Sequence, residues 1–167
     1  ILRPTLYDNF RQTFFILPPI FLMAGLAFDL VQKPLLQVTL IAIVALPGLI
    51  ASLSLHPYEY VYYNQFIGGV REAVDRFELE YWATSYREAA LEANRIAPAN
   101  ANVWVDGPAH LFNRFARPDF HIYSPQEPER ADHYDLVVTL ARYDLEKTSF
   151  PDAPIVYRVT REGAVFA

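Results

Sequence analysis

Two apolar stretches of membrane length, one directly after the other, constrain this chain more than any other feature. Thr13–Val31 carries a single charge, Asp29 near its end, and Leu35–Leu55 carries none. About 20 apolar residues cross the hydrocarbon core of a bilayer, so both stretches are expected to span. The link Gln32-Lys33-Pro34 is too short for anything but a reversal, which makes an antiparallel hairpin with both ends on one side. The first stretch lacks a small-residue cleavage site and is followed at once by the second, so it does not read as a signal peptide. Pro18-Pro19 and Pro47 lie inside the stretches. In water each would break a helix; within a bundle of spans the freed carbonyls find other partners. Further transmembrane helices, of the same chain or of partner subunits, are therefore expected around the pair.

Charge divides the chain at the same place. Residues 1–55 hold three basic side chains (Arg3, Arg11, Lys33) and two acidic ones (Asp8, Asp29), whereas residues 56–167 hold 11 basic and 17 acidic. An apolar first third followed by a charged remainder reads as membrane anchor plus soluble domain, and the second part is long enough to bury a core. The expected organisation is a transmembrane hairpin over 1–55, an interfacial aromatic segment over 56–84 and a small α/β domain over 85–167. The acidic balance speaks against nucleic acid as a partner. With no cysteine, disulfides, thiolate nucleophiles and Cys-ligated metals are excluded. The chain opens on Ile1 rather than Met, which reads as processing or as part of something longer.

In the charged part, Val70–Phe77 has helical spacing of apolar residues. Ser85, with Glu88 three residues on, has the spacing of a capping box for a helix running to Ile96. Asn102–Val105 is expected as a strand, Ala109–Phe115 as a helix and Phe120–Tyr123 as a second strand. Asp135–Leu140, apolar on both faces, is expected as the central strand. Ile155–Val159 and Ala164–Phe166 flank Glu162-Gly163 as a terminal hairpin.

No phosphate-binding glycine loop, nucleophile elbow or His-Glu-x-x-His motif is present. His56, His110, His121 and His133 are not spaced as metal ligands, so neither a metal nor another cofactor is expected. Asp106, before Gly107-Pro108, is read as turn chemistry. Two places remain. Arg11 stands just before the first stretch, as an interfacial anchor or as a guanidinium suited to a phosphate. The segment Leu55-His56-Pro57-Tyr58-Glu59-Tyr60-Val61-Tyr62-Tyr63-Asn64-Gln65-Phe66-Ile67-Gly68-Gly69 follows the second stretch. Its aromatics suit a membrane interface, and its carboxylate, amides and rings equally suit a sugar. Glu78, Glu80, Tyr81 and Trp82 form a lesser group of the same kind.

That segment, together with Phe77-Glu78-Leu79-Glu80-Tyr81-Trp82-Ala83-Thr84-Ser85-Tyr86-Arg87-Glu88, resembles the C-terminal module of polytopic GT-C-fold glycosyltransferases. Members of that family take a sugar from a dolichyl or polyprenyl phosphate, and the likeness here is mannosyltransferase-like. The resemblance implies a multi-pass cell-membrane protein with Lys33 on the cytoplasmic side and the α/β domain outside. It implies that Arg11 contacts the lipid phosphate, and that His56, Tyr58, Glu59 and Asn64 border the lipid-linked sugar. It also implies that the catalytic acid lies in an early loop, upstream of the residues present. The alternative is a non-catalytic accessory subunit of a larger membrane complex, and an anchored sugar- or peptidoglycan-binding domain is a third reading.

Overall fold

A computed structural model describes residues 14–74, 76–142 and 145–167. The chain divides into two compact units, the first ending at Pro47 and the second spanning Gly48–Ala167. In the first, a 3-10 turn at 14–16 leads into α1 (Leu17–Asp29), with Pro18-Pro19 in its opening turn. Proline is tolerated there because those amides have no acceptor within the helix. α2 (Pro34–Leu55) follows; its 22 residues rise about 33 Å, enough for the hydrocarbon core. α2 is the one described helix long and apolar enough to cross a membrane. The helical run 14–29 is shorter than the stretch read from the sequence, and Thr13 lies outside the described residues. Leu22, Met23, Leu26, Leu36, Val44 and Leu49 are among the many apolar side chains left exposed on the two helices.

The second unit begins with the last turns of α2. Ala51 and Leu55 are buried there, in a core that also holds Tyr58, Val61, Val70 and Phe166. Two 3-10 turns, Glu59–Val61 and Gln65–Ile67, lead to α3 (Gly69–Ala73). α3 is shorter than the helix expected over Val70–Phe77.

α4 (Tyr86–Ile96) turns Tyr86, Ala89, Ala90 and Ala93 inward. Small side chains on the i, i+3, i+4 face let a helix lie close to its neighbours. β1 (Asn102–Val105), α5 (Ala109–Asn113), β2 (His121–Tyr123) and β3 (Leu136–Val138) follow. The three strands form a parallel sheet in the order β2-β1-β3. The central strand is therefore β1, and the expectation that Asp135–Leu140 would be central is corrected: β3 is an edge. It lines a cleft of about 280 Å³ together with α4 and residues 153–157. β1 is enclosed instead by long-range neighbours. Val103 and Val105 enter the core, while Trp104 is covered by Tyr134, Phe150 and the guanidinium of Arg130.

Arg117 fastens the end of α4 to the loop before β2. Its guanidinium donates to the carbonyls of Asn94 (2.9 Å) and Pro98 (2.6 Å), and its Nε donates to Asp119. Carbonyls at a helix end that lack an intrahelical donor are satisfied in this way.

After α6 (Leu145–Thr148), β4 (Thr160–Arg161) and β5 (Ala164–Val165) form a two-residue hairpin. Glu162 (φ 50°) and Gly163 (φ 83°) both have positive φ, the combination that matches the twist of a tight hairpin. The hairpin is shorter than expected. Only Val159 extends it, donating to the Ala167 carbonyl and accepting from the Phe166 amide, while Ile155, Val156 and Tyr157 stay exposed.

Candidate functional site

The backbone after α2 turns sharply, with the Tyr58 amide donating to the Leu55 carbonyl at 2.7 Å. This reversal buries Tyr58 and leaves the other side chains of the His56–Tyr60 segment exposed. His56 and Glu59 stay outside and pair, with Nδ1 of His56 2.6 Å from Oε1 of Glu59. The Glu59 carboxyl is held below its ordinary range, first by a backbone hydrogen bond and then by His56.

Tyr58 goes inside. Its ring meets Phe166 edge-on at 5.1 Å, and the Arg161 guanidinium covers it at 4.9 Å. Burial, and next the neighbouring Glu88 carboxylate, push its hydroxyl well above the usual tyrosine pKa. Arg161 ties three segments together: it donates to Glu88 at 2.5 Å, to the His56 carbonyl at 3.2 Å and to the Thr160 carbonyl at 2.8 Å. The resulting patch has an exposed imidazole–carboxylate pair outside and a half-buried arginine–glutamate pair behind it.

A second polar cluster lies alongside. Glu80 is 1 % exposed, yet its carboxylate accepts from the Tyr60 hydroxyl, the Ser85 amide (3.1 Å) and Thr84 Oγ1 (3.4 Å). Thr84 Oγ1 also lies 2.7 Å from the Tyr60 hydroxyl. A buried carboxylate is tolerable when its lone pairs are met in this manner. Burial and the bond to Glu80 drive the Tyr60 pKa upward.

Ser85 does not cap α4 through its side chain, and Glu88 pairs with Arg161 rather than reaching back to the Ser85 amide. Glu80 satisfies that amide instead, so the capping-box expectation is corrected.

At the C-terminal end of β1, Asp106 is buried. Its Oδ1 accepts from the Trp104 indole at 2.9 Å, and its amide donates to the Val138 carbonyl. Its Oδ2 and the Tyr86 hydroxyl have no hydrogen-bond partner among the described residues. Asp106 thus joins β1 to β3 and fixes the Trp104 ring, beyond the turn chemistry that the sequence assigned to it.

Of the residues singled out from the sequence, His56 and Glu59 are brought together and open to solvent. Tyr58 backs them from the core. Asn64 is occupied locally, its Oδ1 accepting from the Phe66 amide at 3.0 Å as the cap of a 3-10 turn. Arg11 lies outside the described residues. Arg161 and Glu88 had no signal in the sequence as partners, because 105 residues separate Arg161 from His56 and 73 separate it from Glu88. Compared with known proteins, the chain matches no family model, no curated protein and no solved structure.

Proposed function

We propose that this chain is the C-terminal part of an integral-membrane glycosyltransferase that moves a sugar from a polyprenyl-phosphate donor. In this reading α1 and α2 are the last two spans, joined by a cytoplasmic link at Lys33, and the α/β domain stands outside the membrane. The observation that carries the reading is the exposed His56–Glu59 pair, held on a half-buried Arg161–Glu88 brace within four residues of the end of a membrane-length helix. A carboxylate and an imidazole fixed beside the bilayer surface offer an acceptor and a second hydrogen-bonding group to sugar hydroxyls. The brace holds the His56 carbonyl, so that less ordering remains to be done on binding.

The role given to this segment is binding and orientation of the lipid-linked sugar. Arg11 is assigned to the phosphate, for which a guanidinium fork is the best-matched side chain. The base that activates the acceptor is assigned to another part of the full protein.

The test uses the full-length native polypeptide in membranes. Arg11→Ala and a His56→Ala/Glu59→Gln double variant are assayed for transfer of labelled sugar from a polyprenyl-phosphate donor. Each is expected to lose transfer by roughly tenfold or more, as follows from removing contacts to a charged or polyhydroxylated substrate. Transfer at the parental rate by both variants, at equal membrane abundance, would sink the proposal. Stoichiometric co-purification with unrelated subunits, and no transfer by any form, would favour the accessory-subunit reading.

A further inference from the structure

Phe166 lies between two segments of the second unit and bonds to both. Its carbonyl accepts from the Ala141 amide, three residues past the end of β3, at 3.0 Å, and its amide donates to the Val159 carbonyl at 2.8 Å. Ala167, the next residue, lines the cleft enclosed by β3, α4 and residues 153–157.

Successive residues of a strand direct their backbone groups to opposite sides. Val138 turns toward β1, where its carbonyl accepts from the Asp106 amide at 2.9 Å. Val137 and Thr139 therefore face the other way, the side on which Ala141 meets Phe166. On the second wall Val159 faces Phe166 and Ala167, and the same alternation carried back along the chain turns Tyr157 and Ile155 toward the cleft. All four residues line it. Among the described residues β3 pairs with β1 alone, and no backbone bond joins β3 to residues 155–157. The walls are thus two strand edges that face each other, with Phe166 spanning them at one end.

From this geometry we infer that the cleft is a docking site for an extended peptide of a partner protein, which enters as a strand between β3 and residues 155–157 in line with Phe166. In this mode of recognition the main chain supplies affinity and the pockets for alternate side chains supply selection. Backbone groups offered from both walls favour a peptide over a compact small molecule. Ala89, Ala93 and Ala153 line the cleft with small side chains, which leaves room for valine or threonine. The charged lining residues are Glu92 and Asp135, both acids, in a part of the chain with 17 acidic and 11 basic side chains. The peptide that fits therefore carries lysine or arginine at its ends. The inference stands apart from the transferase reading, since it uses only the second unit.

The intact chain, in detergent micelles, is titrated with a fluorescein-labelled heptapeptide of alternating valine and threonine with a lysine at each end. Binding is followed by anisotropy, and backbone hydrogen exchange is read in parallel. Saturable binding below about 1 mM is expected, with slowed exchange at Val137, Thr139, Ile155 and Tyr157. Methylating the valine amides of the peptide should weaken binding at least about tenfold. Glutamates in place of its lysines should weaken it about threefold or more. Ile155→Pro removes one wall amide from a residue that is 64 % exposed, and should weaken binding while the melting midpoint stays at the parental value.

Equal binding of the methylated peptide would overturn the inference, because strand pairing would then not be what holds it. Absence of saturable binding would overturn it too. Slow exchange at the four amides before any peptide is added would also refute it. Dependence of that protection on protein concentration would identify a second copy as the occupant, and independence would identify closure of the chain on itself.

Discussion

Glu80 shows how much a single side chain can organise here. It is a full carboxylate removed from solvent, yet it is met by an amide, a phenol and a threonine hydroxyl drawn from the 58–62 and 84–85 segments. Replacing it by alanine would leave the buried Ser85 amide without its acceptor, while the Tyr60 hydroxyl would keep Thr84 Oγ1 beside it. Each orphaned buried group costs about 1–3 kcal/mol. Glu80→Ala is therefore expected to lower stability by about 1–3 kcal/mol, read as a drop in the midpoint of thermal unfolding followed by near-ultraviolet dichroism. Glu80→Gln retains one carboxyl-like oxygen and should cost less. A Glu80→Ala protein that melts with the parent would show that the cluster is not holding the 58–62 segment in place. The sequence marked Glu80 only as a weak companion of Trp82, because nothing in local spacing distinguishes a buried acid from a surface one.

Among the elements, the turn from Asn64 to Gly69 has the narrowest tolerance. A Cβ added to Gly68 would stand 2.6 Å from the Cβ of Glu72 and 2.3 Å from its Cγ, at a φ of 91°. The first of these contacts is not with a flexible side-chain end, so the start of α3 would have to move. Gly163 has a similar φ of 83° but open space around its missing side chain. Gly68→Ala is thus expected to destabilise more than Gly163→Ala, the latter by about 1 kcal/mol for the left-handed backbone alone. Denaturant midpoints of the two variants, compared side by side, decide the matter, and equal losses would refute the steric part of the argument.

Legibility also divides along element lines. α4 and β1 were readable from local signals: the helix to Ile96 was expected from the Ser85–Glu88 spacing, although that pair does not make the cap, and β1 from Val103 and Val105 flanked by turns. The place of β3 in the sheet was not, since which strand is central depends on pairing between segments distant in sequence, β1 taking both β2 and β3 as neighbours. Asn64 was read as an amide available to a ligand, when the nearest unsatisfied amide, that of Phe66, had first claim on it. The His56–Glu59 pairing was within reach of sequence reasoning, being three residues apart, whereas the Arg161 brace required the fold.

On the scale of the whole molecule, three tyrosines decide how the protein meets alkali. Tyr58, Tyr60 and Tyr86 all have pKa values raised above the ordinary 10.0 by burial first, with Glu88, Glu80 and Asp106 as the leading acidic neighbours in turn. Below pH about 10 both folded and unfolded chains keep these protons, and the stability that neutral, buried phenols contribute is fully present. Above it the unfolded chain releases protons that the folded chain retains, so stability falls as pH rises. Phenolate absorbance should accordingly show a late step that coincides with loss of the near-ultraviolet dichroic signal. Smooth, independent titration of every tyrosine with the fold intact would contradict the burial of Tyr58 and Tyr86 and the bond from Tyr60 to Glu80.

The edge-on meeting of Tyr58 and Phe166 brings the beginning and the far end of the second unit together across 108 positions of sequence. It has a consequence for synthesis. Leu55, at the tip of α2, and Tyr58 occupy the same core as Val159, Ala164 and Phe166. While the ribosome works through the intervening hundred residues, that early apolar surface lacks the cover that Val159, Ala164 and Phe166 provide. The nascent domain must wait with its first contacts unmade, and it can close only when its last strand has left the exit tunnel.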